Sequence, residues 1–194
     1  MTFQSTAFRL GTVAAIAAAV FTAMPAAAQS AASRGEQATA AESRNSPGAK
    51  IAKADERMMK NLAQANIAEI ETGKLAQEKA AKDEVKKFGQ TMVDDHTKSL
   101  GELKELAAKK GVELPTEPDT KHKATATALK ALDGDNFDKQ YMSMAGLSDH
   151  KKTHEMLQKV QREAKDPDLK AYAGKTIPVV HGHLTTAQQI TGKK

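Results

Sequence analysis

The stretch DEVKKFGQTMVDDHTKSLGELKELAAKKG, residues 83–111, decides the fold class. Val85, Phe88, Met92, His96, Leu100, Leu103 and Leu106 recur at spacings of three and four, the repeat of one face of an α-helix. Asp83 reads as an N-cap followed by Glu84, and Gly111 as a C-terminal stop. His96 stands in mid-stripe, with Met92 one turn before it and Asp95 on its flank. A helix of this length must cover its apolar face with another element.

The rest of the chain supplies the partners. Before residue 83, Met58, Leu62, Ala65, Gly73, Ala76 and Ala80 share a face, and Glu69 lies inside that stripe while Glu71 points away. After it, the two prolines of Leu114-Pro115-Thr116-Glu117-Pro118 form a loop. A short helix at about 121–132 then leads to a third long helix capped by Asp135 or Asn136, with a seam of Leu147, His150, His154, Leu157, Gln161 and Ala164. Asp166 caps a fourth, with Pro167 in its first turn. Leu169, Tyr172, Thr176, Val180, His183, Leu184, Ala187 and Ile190 form its inner face, and Pro178 should kink it. AKDEVKKF (81–88) is echoed by AKDPDLKAY (164–172). The expectation is all-α: a four-helix bundle of two helical hairpins joined by a longer crossover that contains the short helix.

Composition agrees. Of 194 residues, 40% are hydrophobic, 27% charged and only 4% aromatic, which argues against a β-sandwich or barrel. With no Cys, a disulfide scaffold, a thiolate metal site and a thiol nucleophile are excluded. The net charge is +5, but Lys alternates with Asp and Glu, so no basic stripe for nucleic acid stands out. The first 28 residues place Arg9 before an apolar run from Leu10 to Met24, then Pro25 and Ala26-Ala27-Ala28. That order reads as a cleaved secretory signal, and no other segment is apolar enough to span a bilayer. Removing it takes Arg9 away and leaves +4. Residues 29–50, rich in Ala and Ser, read as a disordered linker, and 51–194 as the helical domain. The expected location is periplasmic or envelope-associated, with no integral membrane segment after cleavage.

Glu69, His96, His150 and His183 thus fall on the inward faces of four different helices. Buried polar groups need partners. They either satisfy one another in a Glu–His network or hold a transition metal ion, and imidazole with carboxylate suits Fe, Mn, Zn or Cu. Asp95 and Asp149, next to two of these histidines, suit a supporting role behind the ligands, as do His154 and Met92. Met58, Met92 and Met144 would suit copper(I), although methionine at helical spacing is more often core. The Glu-x-x-His pair of di-iron bundles is absent, since Val93 and Leu147 stand where its carboxylates would be. His150 and His154 lack the Glu of a zinc-protease motif. His122 and His181 read as solvated. Nothing marks a catalytic residue.

The motifs Ala68-Glu69-Ile70-Glu71 with Gly73, Met92-Val93-Asp94-Asp95-His96, Asp149-His150, and Pro178 with His183-Leu184 resemble a widespread bacterial family. It is an exported, ferritin-like domain of unknown function often labelled a predicted outer membrane protein, and the resemblance covers about residues 53–190. It implies a ferritin-like bundle in the envelope and no settled activity. The combined expectation is an exported bundle that binds a metal ion at a Glu/His cluster, for metal handling or envelope stress protection. The alternatives are a structural or adaptor protein without catalysis, and a metal-dependent oxidase; which protein partner it has is left open.

Overall fold

The structure, a computed structural model, describes residues 51–193. The expected signal and linker lie outside the described residues. Those described form five helices and no strand. α1 is Lys53–Lys79, α2 is Asp83–Lys109 and α3 is the short Thr120–Lys130. α4 has three runs: Gly134–Tyr141, a π-helical segment Met142–Asp149, and His150–Glu163. α5 is Pro167–Thr191. None is long and apolar enough to cross a membrane.

Several local expectations hold. Asp166 accepts hydrogen bonds from Asp168 N and Leu169 N, both at 3.0 Å, and Pro167 opens α5. Gly111, at φ 66°, follows the end of α2. Others are corrected. Lys82, not Asp83, is the N-cap of α2; Asp83 and Glu84 sit in the first turn, where their charge complements the helix dipole. Asp133, not Asp135 or Asn136, precedes α4. Pro178 does lie within α5, as expected, and the helix continues through it to Thr191.

The third seam also differs. Beyond His150, α4 buries Leu157, Val160 and Ala164 and half-buries Thr153, whereas Gln161 is exposed and His154 only half-buried. A seam at spacings of three and four passes through 153 and 160 as readily as through 154 and 161, and Val160 is the better core residue. The π segment explains the break in phase before it. One extra residue in a turn rotates the faces on either side, so Phe137 and Tyr141 point inward before it, Met142 and Ala145 within it and His150 after it. In α1, likewise, the fully buried methionine is Met59, with Met58 half-buried.

The buried apolar residues form two clusters. One holds Met59, Leu62, Leu100, Leu103, Leu157, Leu169, Tyr172 and Val180; the other holds Ala76, Val85, Phe88, Met92, Phe137, Tyr141, Ala145 and Ala187. Along each long helix the change from one cluster to the other falls at buried polar residues: Asn66, Glu69 and Thr72 in α1, His96 in α2, His150 in α4 and His183 in α5. The order of the clusters makes α1 and α2 antiparallel, and α4 and α5 antiparallel. It makes α2 and α4 parallel, so the chain must travel the length of the molecule between them, and it does so through the segment carrying α3. That segment packs on α1.

Two carboxylates tie the halves together. Asp55, at the start of α1, accepts from Lys165 N and Asp166 N at 2.9 and 2.7 Å. Asp138, near the start of α4, accepts from Ala81 N and Lys82 N at 3.1 and 3.0 Å. Each half thus caps the hairpin bend of the other, at the two places where the sequence repeats itself. Lys110 adds 2.7 Å ion pairs to Asp166 and Asp168.

The α1–α2 contact is set by glycines. A Cβ on Gly73 would lie 2.8 Å from the carbonyl oxygen of Gly89, and one on Gly89 would lie 2.8 Å from that of Gly73 and 2.7 Å from Ala76 Cβ. Backbone meets backbone here, so neither side can yield cheaply. Gly89→Ala is expected to destabilise the protein by roughly 1–3 kcal/mol through overpacking, outweighing the gain of about 1 kcal/mol in helix propensity. Gly101→Ala, whose Cβ meets nothing within 4 Å, should be neutral or stabilising. Urea denaturation of the two variants decides this, and a Gly89→Ala protein as stable as wild type would refute the close approach.

Candidate metal centre

Three of the four inward groups come together. One nitrogen from each of His96, His150 and His183 lies within 4.8 Å of the others, and all three residues are buried. Their ring centres are 5.3, 5.5 and 5.7 Å apart. Imidazoles sharing one ion at bonds of about 2.0–2.1 Å in near-tetrahedral geometry have ring centres roughly 5 to 5.5 Å apart. The observed rings are close to that arrangement.

Each ring has one nitrogen committed to a hydrogen bond. His150 Nδ1 is 2.8 Å from the carbonyl oxygen of Ala145, which can only accept. His183 Nε2 is 2.8 Å from Asp95 Oδ2, also an acceptor. His96 Nδ1 is 2.9 Å from Asn66 Oδ1; the amide is oriented by its Nδ2, which donates to the Leu62 carbonyl at 2.8 Å and approaches the Tyr172 hydroxyl at 3.4 Å. The proton therefore sits on Nδ1 of His96 and His150 and on Nε2 of His183. The opposite nitrogens, His96 Nε2, His150 Nε2 and His183 Nδ1, carry the lone pairs, and all three are buried with no hydrogen-bond partner.

The surroundings keep these rings neutral. Burial pushes the His96 pKa well below its ordinary value, and His150 and His183 add to this. Burial brings His150 down to about 4, against the opposing bond to Ala145. His183 is also lowered by burial, with Asp95 working the other way. Neutral imidazole is the form that binds metal.

Glu69 stands elsewhere. Its Oε1 is 3.7 Å from His150 Nδ1, the protonated side of that ring, so it lies behind His150 instead of joining the three nitrogens. Burial, then the charge of Asp149, raises its pKa well above the usual carboxylate range. The Tyr141 hydroxyl, buried and without a hydrogen bond, is raised by burial and by Glu69.

The other expected residues divide. Asp95 supports a histidine, but it is His183 on α5 and not its neighbour His96. Asp149 bonds none of the three rings; it lies 3.5 Å from Lys152 Nζ, 3.9 Å from Lys121 Nζ and 4.0 Å from His122 Nε2. His122 is half-buried, not solvated, with Nδ1 3.0 Å from Asp119. Met92 is a core residue of the Phe88 and Tyr141 cluster. His154 packs its ring on His181 and takes no part in the trio. Reading the sequence missed Asn66 and Ala145. Asn66 had a visible signal, a polar residue one turn before Glu69, whereas a backbone carbonyl in a π turn leaves none.

A family model described as "Domain of unknown function (DUF4142)" matches residues 37–190. The chain belongs to that family. No curated protein matches it. A solved structure of a DUF305 fragment from Deinococcus radiodurans is similar at a TM-score of 0.65 with 11% identity, covering 74% of this chain and 98% of that one. At that identity the likeness speaks for the fold alone.

The neutral rings set the acid response of the metal-free protein. Unfolded histidine takes up a proton near pH 6.5, whereas folded His150 does so only at about 4. Between these values the unfolded state holds more protons, so stability falls as pH falls. His150 alone contributes on the order of 3 kcal/mol to that loss, and His96 and His183 act in the same sense. Glu69 opposes them, because its raised pKa favours the folded state in acid, but it is one group against three. Urea midpoints in the presence of chelator should therefore be lower at pH 5 than at pH 7.5; equal or higher midpoints at pH 5 would contradict the buried neutral trio.

Proposed function

We propose that this protein is an exported, ferritin-like four-helix bundle that binds one transition metal ion between its helices. His96 Nε2, His150 Nε2 and His183 Nδ1 are the ligands, and Asn66, Ala145 and Asp95 hold the rings. The observation that carries this reading is that one nitrogen from each of three buried rings lies within 4.8 Å of the others, while each ring keeps one buried nitrogen without a partner and has the other held by a separate acceptor. Metal-binding histidines ordinarily have their second nitrogen held by a carboxylate, carbonyl or amide in this way. A set of imidazoles suits Zn, Cu, Fe or Mn, with Zn and Cu the best match for an all-nitrogen donor set.

The bundle assignment is supported by the two antiparallel hairpins, the parallel α2 and α4 and the long connection between them. Export is supported by the order of residues 1–28. The role is metal handling or protection of the envelope under stress, without turnover. A structural network in which Glu and His satisfy one another fits less well, because Glu69 Oε2 and all three lone-pair nitrogens have no hydrogen-bond partner. An oxidase centre fits less well because Glu69 lies on the wrong side of His150 to bridge ions at the trio.

Elemental analysis of protein purified without chelator tests the reading. Near-stoichiometric metal is expected, and H96A/H183A should lose it. Asn66→Ala, which frees the His96 ring, should weaken metal binding about 10- to 100-fold while leaving the three ligands in place. Protein that takes up no first-row ion on dialysis would sink the proposal.

A further inference from the structure

The histidines outside the trio form a second arrangement. His154 on α4 and His181 on α5 have ring centres 5.6 Å apart at 77°, a separation within the range spanned by the buried rings. His154 is half-buried and His181 exposed, so the pair is open to solvent. Neither ring makes a hydrogen bond to any described residue. Two imidazoles at this spacing can share one ion at bonds of about 2.0–2.1 Å and leave its remaining positions to water.

Their place in the chain connects them to the centre. His154 follows His150 by one helical turn, and His181 precedes His183 by two residues, so the same two helices that hold two of the buried ligands carry the outer pair. Between His181 and His183 stands Gly182, exposed, with nothing within 4 Å of where a Cβ would be. Packing does not require a glycine there, and in a helix interior it costs about 1 kcal/mol relative to alanine. Pro178, one turn earlier, leaves the carbonyl of Gly174 without its helical donor. Helix propensity is thus lowest, between the outer and the inner histidine, at Gly182.

We infer that His154 and His181 form a solvent-open docking site for a divalent transition metal ion, through which the ion reaches His150 and His183. This rests on the metal-binding reading of the trio. An ion held weakly beside the closed site enters it by an intramolecular step, with an effective concentration far above that in solution. A two-imidazole site binds loosely enough to release its ion inward.

The test uses metal-free protein mixed with zinc chloride against a competing zinc indicator, following the loading rate and then the zinc bound at equilibrium. H154A/H181A changes only accessible side chains and should fold. It is expected to slow filling of the tight site about tenfold or more, with the final tight-site content unchanged. In H96A/H183A a weaker zinc ion should remain, and it should vanish when H154A/H181A is added. An unchanged loading rate in H154A/H181A overturns the transfer route even if H96A/H183A fails to fold. A wild-type protein with no tight zinc, but with a weak ion that H154A/H181A removes, would leave the docking site standing and overturn both its role in transfer and the reading of the trio. If H154A/H181A changes neither rate nor weak binding, the docking site itself is refuted.

Discussion

Three buried imidazole rings lie in a polar layer between two apolar clusters, and each gives its N–H to an acceptor. A buried polar group left unmatched costs on the order of 1–3 kcal/mol, so the acceptors have to stand in fixed places, two of them on other helices and the third in the turn before His150 itself. One is an amide on α1, one a carboxylate on α2 and one a backbone carbonyl inside α4. His183 is therefore held from α2, and His96 from α1. These bonds couple the helices in axial register, and a slide of one helix by a single turn would break them.

Other features of the molecule serve that register. The glycine contact brings α1 and α2 close enough for Asn66 to reach His96. Asp55 and Asp138 fix each hairpin bend to the first turn of the opposite half. The π segment does what a regular α-helix could not: it changes the phase of α4 just before His150, so that both the Tyr141 face and His150 point inward, and its Ala145 carbonyl takes the His150 proton. The two apolar clusters lie on either side of the layer, and its three rings are buried.

The sequence revealed the helices and the inward positions of His96, His150 and His183, because a three-and-four spacing survives wherever a helix is regular and one face is covered. It was less informative where the period was ambiguous or broken. His154 and Thr153 fit the same seam, and only the π turn and the packing of Val160 select between them. Glu69 is buried, as its place in the stripe requires, but a helical wheel fixes a direction and not a depth, so it could not show that the carboxylate stops behind His150. Asp55 and Asp138 were invisible as caps because their partners are about 110 and 57 residues away.

The unmatched nitrogens are where local rules and the whole structure disagree, and such disagreements in an otherwise consistent fold point to function. Chemistry that only stabilised the bundle would be served better by leucine at all three positions, since burying neutral, half-satisfied imidazoles brings no compensating contact. Each ring is also held in one tautomer by its far side, which packing alone does not demand. Orientation of the donor and removal of the proton are preconditions for a tight imidazole site, and the three rings meet both. On the metal-binding proposal the buried rings leave access as the remaining problem, and the proposed outer pair, His154 and His181, is carried by the same two helices as His150 and His183.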